Sequence, residues 1–244
     1  MASQSTIAII AFDMYGTLVR NDTEQWYAVF SEIATEQALS LDGVTLYAEW
    51  HRREINFRNT RTDMRNPNTS PPFQTYESAW GRAFDETFAA LGLKGDAAAA
   101  ARRCVDHMAA RTALPDVSAV LTRLATRWPL AVLSNADDDF LRPVITRHGW
   151  SFDPIVSSES ARSYKPDPRI FAAFCREASV APKRVLYVGD SIYDDMHGAK
   201  LAGMQAAWVR RDDATPGRTP PPEGQALLNP DLEVGSLQEL ERVL

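Results

Sequence analysis

Asp13 is the first residue of this chain whose setting suggests chemistry. It closes the apolar run Ile7-Ala-Ile-Ile-Ala-Phe12 and opens the turn Met14-Tyr15-Gly16-Thr17. A strand buried on both faces can be continuous in Ile, Val and Phe, and a carboxylate at its carboxyl end stands where open α/β sheets place their ligand crevice. On this segment alone the competing reading is a turn or helix-capping aspartate. Two later segments repeat the pattern: Leu130-Ala-Val-Leu133 runs into Ser134-Asn135, and Arg184-Val-Leu-Tyr-Val188 runs into Gly189-Asp190. Lys165 adds a cation just before the turn and helix start Pro166-Asp167-Pro168. Asp194 and Asp195 follow Asp190 on the same loop and helix start, so several carboxylates gather near one lysine. Like charges that close do not all ionise without a cation or a large rise in pKa. A divalent metal answers this, and an all-oxygen donor set favours magnesium over zinc.

Plainer readings apply residue by residue. Ser134-Asn135 alone equally suits a helix cap, and an isolated lysine is most often solvated. Asp194 reads as a solvent-facing acid. His148 and His197 lack a partner at ligand spacing and read as packing or surface histidines.

The elements that must position these residues follow from periodicity. From Leu114 onward, amphipathic stretches such as Val117 to Arg127 and Pro168 to Ala178 alternate with apolar runs, including a weaker one at Pro154-Ile-Val156. That alternation predicts an α/β fold with a doubly wound parallel sheet. Between Val19 and about Thr112 the pattern is helical instead. Leu46, Trp50, Phe57 and Met64 recur at helical spacing, as do Tyr76, Trp80, Phe84 and Phe88, with a turn-rich connector at Asn66 to Pro72. The expected organisation is a Rossmann-like core from residues 1–19 and 113–244, with an inserted α-helical bundle over residues 20–112. Asp212 to Pro230 reads as an exposed loop and Ser236 to Leu244 as a short helix.

Composition sets outer bounds. With 244 residues and 45% hydrophobic content, the chain has room for a full core and one added domain. A net charge of −6 argues against a general nucleic-acid binder. The two cysteines, Cys104 and Cys175, have no metal-type spacing, so neither a disulfide framework nor a zinc site is expected and a reduced, cytoplasmic setting is. No apolar stretch near the start approaches the roughly 20 residues that span a bilayer, so neither a membrane partner nor a signal peptide is expected.

Taken in order and spacing, Asp13-Met-Tyr15-Gly16-Thr17, Ser134-Asn135, Lys165-Pro166-Asp167-Pro168, and Gly189-Asp190 with Asp195-Met-His-Gly198-Ala199 resemble the haloacid dehalogenase superfamily of hydrolases, in its members with a helical cap inserted after the first motif. The likeness covers essentially the whole chain. It implies that Asp13 is a nucleophile forming a covalent acyl intermediate. Thr17 and Ser134 would hydrogen-bond the transferred group, Asn135 would position it, and Lys165 would hold and neutralise Asp13. Magnesium would be bound by Asp13, Asp190 and the main-chain carbonyl of Tyr15, with Asp195 a further acidic contact to the metal, its waters or Lys165.

The chain departs from its relatives in instructive places. Phosphatases of the superfamily usually carry a second aspartate two residues after the nucleophile, as the acid for the leaving oxygen. Here that position is Tyr15, as in the 2-haloacid dehalogenases, whose halide leaves without a proton. Those dehalogenases work without metal and have Ser and Asn in the loop where this chain has acids such as Asp190. They also place an arginine directly after a cap tryptophan, whereas Trp50 is followed by His51, with Arg52 and Arg53 turned about 100° or 200° around a helix.

Clustered carboxylates with a metal and a lysine suit a phosphoryl group best. The expected activity is therefore a magnesium-dependent phosphatase acting on a small phosphorylated metabolite, with Tyr15 one candidate proton donor. The alternatives are a metal-independent 2-haloacid dehalogenase and a weakly active binding or regulatory homologue. The partner is a small anionic substrate, a phosphate ester or a 2-halo acid, and the resemblance also admits a homodimer. Arg58, Arg61 and Arg65, at helical spacing, would either face the crevice and bind a second anionic group or pair with Glu54 or Asp63 on a solvated face.

Overall fold

Strand β1 (Ile9–Phe12) is followed by four helices, α1 (Thr23–Glu36), α2 (Gly43–Thr60), α3 (Tyr76–Leu91) and α4 (Ala97–Ala109), before the chain returns through α5 (Val117–Leu124) to β2 (Leu130–Ser134). The remainder alternates: α6 (Asp138–Arg147), β3 (Ile155–Ser157), α7 (Ser158–Ala161), α8 (Pro168–Ala178), β4 (Val185–Gly189), α9 (Gly198–Leu201), β5 (Gln205–Val209), β6 (Leu232–Val234) and α10 (Leu237–Val243). These elements come from a computed structural model that describes residues 7–211 and 221–244. Part of the Asp212 to Pro230 segment, read above as a loop, lies outside the described residues.

Among the described residues, six strands form one all-parallel sheet in the order β3-β2-β1-β4-β5-β6. Strands β1, β2 and β4 are buried at every position, which is why they read as unbroken apolar runs. Alternate side chains serve opposite faces. Ile10, Phe12, Val132, Leu186 and Val188 belong to one core layer, whereas Ile9, Ala11, Leu133, Val185 and Tyr187 belong to the other. Helices thus cover both faces, the doubly wound arrangement the sequence predicts. The chain builds outward from β1 to β2 and β3 on one side, then to β4, β5 and β6 on the other. The strand order therefore reverses between β1 and β4, and the crevice opens at their carboxyl ends. Pairing of Phe12 with Val188 brings Asp13 and Asp190 out of the sheet side by side.

Helices α1 to α4 each begin on a side-chain cap: Asp22, Asp42, Thr75 and Asp96 accept from the amides of Gln25, Thr45, Ser78 and Ala99. Their shared interior is aromatic, with Trp26 on Trp50 at 5.7 Å and Phe30 on Phe84 at 5.3 Å between ring centroids. Helix α2 ends at Thr60, so Met64 and Arg65 fall beyond it and the expected helical face stops short of both. Strands β5 and β6 escaped the sequence reading. One is rich in alanine and the other has three residues, so neither carries a strong strand pattern.

The helical block is fastened to the sheet by specific bonds. Asp137, just past β2, accepts from the amides of Tyr76 and Glu77 at 2.9 and 3.0 Å, at the first turn of α3. A carboxylate there meets both the orphan amides and the positive end of the helix dipole. Burial pushes the Asp137 carboxyl up to about 6 against the pull of those two amides. Phe140 of α6 stacks on Trp80 at 5.7 Å, and the Tyr164 hydroxyl donates to the Gln74 carbonyl. Asp137→Ala would leave two amides at a helix start without their acceptor. It is expected to cost about 1–2 kcal/mol, read as a lower denaturant midpoint; a wild-type midpoint would show that Asp137 does not fasten the helices.

Candidate active site

Asp13 stands at the carboxyl end of β1, its amide held by the Val188 carbonyl of β4 at 2.9 Å. Its Oδ1 accepts from Ser134 Oγ at 2.8 Å and from Lys165 Nζ at 2.7 Å. No hydrogen bond to Oδ2 is found among the described residues, and Asp13 lines a cavity. One oxygen is therefore pinned, and the other is without a hydrogen bond among the described residues.

Lys165 is buried and its ammonium has three partners: Asp13 Oδ1, Asp195 Oδ1 at 2.5 Å and Tyr187 Oη at 2.8 Å. Burial works against its charge, yet the carboxylates of Asp13 and Asp195 hold its pKa above the ordinary lysine value. Its backbone is fixed as firmly. Asn135 Oδ1 accepts from the Lys165 amide at 2.7 Å, and Asn135 Nδ2 donates to the Lys165 carbonyl at 3.1 Å. The side-chain amide of Asn135 thus clamps the lysine loop while Asn135 also lines the cavity beside Asp13.

Asp195 is held on both oxygens. Oδ1 meets Lys165 and Tyr187 Oη, the latter at 3.1 Å, and Oδ2 accepts from the Ser191 amide at 2.9 Å. Ser191 caps a π-helical turn, Ile192–His197, that carries Asp195 back beneath the strand end. A Cβ at Gly189 would lie 2.4 Å from Asp195 Oδ2, so only glycine lets the carboxylate sit there. Thr17 Oγ1 donates to Asp190 Oδ1 at 3.1 Å, so in this structure it meets an acid. Asp13, Asp190 and Asp195 each offer an oxygen within 4.8 Å of the others. Burial, reinforced by Asp195 and Asp190 and opposed by Lys165, raises the Asp13 carboxyl to about 7.

Tyr187 went unnoticed in the sequence. Its hydroxyl touches both Lys165 and Asp195 and reaches the Leu133 carbonyl at 2.7 Å. The available signal was a single phenol in the aliphatic strand Val185-Leu-Tyr-Val188.

The structure corrects two expectations. The Tyr15 hydroxyl is turned to the carbonyls of Phe140 and Met108, at 3.2 and 3.4 Å, and burial pushes its pKa well above the usual phenol value. It is not aimed as a proton donor. Asp194, expected in solvent, is buried and pairs with Arg61 at 3.2 Å, because the chain beyond α2 folds over it. Of the two readings of the cap arginines, Arg58 follows the pairing one, bonded to Glu54 at 2.5 Å while it also lines the cavity; Arg61 is buried against Asp194 and the Tyr76 hydroxyl, and Arg65 is exposed. His148 and His197 are packing histidines, bonded to the Arg111 carbonyl at 2.9 Å and the Leu228 amide at 3.1 Å.

The cavity measures about 70 Å³ and has two unlike ends. Asp13, Ser134, Asn135, Lys165, Asp190 and Asp195 form a polar end; Tyr15, Trp26, Tyr76, Trp80, Met108 and Phe140 form an aromatic one. His51 is absent from its walls and stacks on Tyr47 at 5.2 Å, with Trp50 buried inside the helical block.

A parallel sheet with acids at adjoining strand ends and a helical block inserted after the first strand define a class of α/β hydrolase. The chain matches the haloacid dehalogenase-like hydrolases over residues 7–203 and belongs to that family. It is 28% identical over 211 residues to the (S)-2-haloacid dehalogenase H-109 of Pseudomonas putida, covering 84% of this chain and 86% of that protein. A phosphoserine phosphatase of Thermus thermophilus is 35% identical over 129 residues, 52% of this chain and 49% of that protein. The structure of L-2-haloacid dehalogenase from Xanthobacter autotrophicus superposes with a TM-score of 0.74 at 25% identity, covering 98% of each chain. Among the described residues, no helix is long and apolar enough to cross a membrane.

The crowding of acids has a measurable consequence. With a native pKa near 7 against an ordinary 3.8, Asp13 keeps its proton in the folded state across that interval. Its unfavourable effect grows as pH rises through the interval and is complete above it. Asp13→Asn is expected to raise the urea midpoint at pH 8 in chelator, by on the order of 1 kcal/mol, with the gain fading near pH 4. A lower midpoint at pH 8 would contradict this electrostatic picture.

Proposed function

We propose that this protein hydrolyses small organic acids through an ester on Asp13, and that the bond it breaks is the carbon–halogen bond of a 2-haloacid. The observation that carries the choice of bond is Tyr15. At the position where an acid would serve an oxygen leaving group, the phenol is committed to two backbone carbonyls. A halide needs no proton to leave. The cavity is small and walled on one side by aromatic rings, which suits a short carbon chain beside a reacting centre, and the near full-length similarity to haloacid dehalogenases supports the same reading.

The residues supply each step. Asp13 Oδ2 attacks the halogen-bearing carbon, a carbon–oxygen bond forms, and the halide leaves with the electron pair of the broken bond. Lys165 and Ser134 on Oδ1 keep the carboxylate oriented for that attack. They then stabilise the charge that develops on Oδ1 when water attacks the ester carbonyl. A neighbouring carboxylate takes one proton of the attacking water and returns it to the departing alkoxide oxygen, so that collapse releases a hydroxy acid, and the second proton of the water passes to solvent as the Asp13 carboxylate is restored. Asn135 and Tyr187 act through Lys165, one holding its backbone and the other its ammonium.

A second reading rests on the acid cluster. Three buried carboxylates with oxygens within 4.8 Å are a donor set that fits magnesium. Asp13, Asp190 and the main-chain carbonyl of Tyr15 would hold it, with Asp195, already engaged by Lys165, at one remove. Magnesium there would supply Lewis-acid stabilisation of a phosphoryl oxygen. That reading makes the protein a phosphatase whose leaving group finds no proton donor in Tyr15.

Chloride release from L-2-chloropropionate and phosphate release from an aryl phosphate, each with magnesium and with chelator, separate the two. Chelator-insensitive chloride release that falls about a thousandfold or more in Asp13→Asn is expected. Magnesium-dependent phosphate release lost in the same variant would replace the first reading with the second, and turnover of neither would favour a binding protein.

A further inference from the structure

Arg111 lies in the short link between α4 and α5 and is 2% exposed. All three of its guanidinium nitrogens are buried without a hydrogen-bond partner among the described residues. It sits over the ring of Trp26, 5.3 Å from the centroid, and Trp26 lines the catalytic cavity. The other cations around that cavity are matched: Lys165 to Asp13 and Asp195, Arg58 to Glu54, and Arg61 to Asp194. The nearby carboxylate of Asp22 is engaged by Arg20 at 2.7 Å. A buried charge with no counter-charge is costly, and a ligand of opposite charge nearby would offset that cost.

Two features give this cation a direction. The opposite end of the cavity gathers three carboxylates against one lysine, so it repels an anion when no metal is bound. On the aromatic end a second buried donor, Trp80 Nε1, also lacks a partner among the described residues, and the Trp80 ring meets Trp26 edge-on at 5.8 Å. The guanidinium does not itself line the cavity. It acts across the Trp26 ring, through apolar surroundings where a charge is felt much more strongly than in water.

We propose that Arg111 is the counter-charge that makes this cavity select a carboxylate-bearing substrate and turns the carboxylate toward the Trp26 end, away from Asp13. Arg111 is thus a positioning residue, and it deepens the small-acid reading given above. With the carboxylate drawn to the aromatic end, the adjacent carbon is left facing Asp13 Oδ2.

The test needs no turnover. Binding of propionate and of neutral propionamide, in chelator, is followed by tryptophan fluorescence in the wild type, Arg111→Met, Arg111→Lys and Trp80→Phe. The wild type is expected to favour propionate by about tenfold or more. Arg111→Met should abolish that preference while leaving propionamide affinity in place, and Arg111→Lys should keep most of it. A folded Arg111→Met that retains the preference, or a wild type that binds both equally, overturns the proposal. If Arg111→Met does not fold, Trp80→Phe decides: a reduced preference supports an anion at this end, and an unchanged one overturns it. Absence of chloride release alongside an Arg111-dependent preference would remove the dehalogenase reading and leave this one standing.

Discussion

The bond between Lys165 and Asp13 is the interaction on which the rest of the site depends. Three carboxylates are packed into the end of a parallel sheet, and one ammonium holds two of them in place. Without it the cluster would repel itself apart or take up protons. With it, one oxygen of Asp13 is fixed and the other is left as the nucleophile of the proposed reaction. The surrounding structure keeps that ammonium in position: Asn135 grips its backbone from the end of β2, Tyr187 meets it from β4, and Gly189 leaves room for Asp195 on its far side.

The same constraint explains why the fold is wound as it is. Asp13 and Asp190 leave neighbouring parallel strands at the point where the strand order reverses, so the backbone itself brings the acids together. The helical insertion then covers the opening with an aromatic interior. Its attachment is polar and specific, through Asp137 at the start of α3 and through Arg61 on Asp194, while Phe140 and Trp80 fill the space between. The result is a small chamber with an acidic floor and an aromatic roof.

Much of this was legible in the sequence, for a physical reason. Strands buried on both faces must be continuous in apolar residues, so β1, β2 and β4 announced themselves and so did the polar residues at their ends. The aromatic spacing of α3 likewise marked a helix interior. What stayed hidden depends on contacts between distant segments. Asn135 could be recognised as a site residue, but its task is set by where the Lys165 loop returns. Asp194 looked solvent-facing until Arg61, from the far end of α2, was folded onto it. Tyr187 was masked by its strand, and Arg111 belongs to no motif. Clustered acids with a lysine and a metal suit a phosphoryl group, whereas the geometry of Tyr15 and the relatives that match over most of their length weigh the other way.

The claim that Asp13 forms an ester with its substrate can be tested at the atom concerned. Multiple turnovers of L-2-chloropropionate in water enriched in heavy oxygen, followed by mass analysis of the peptide containing Asp13, report where the water attacked. Heavy oxygen in the Asp13 carboxylate is the result predicted, since water would attack the ester carbonyl and the enzyme's own oxygen would leave in the first product. Heavy oxygen confined to the hydroxy acid, with an unlabelled Asp13 peptide, would mean that water attacks the substrate directly and would contradict the account.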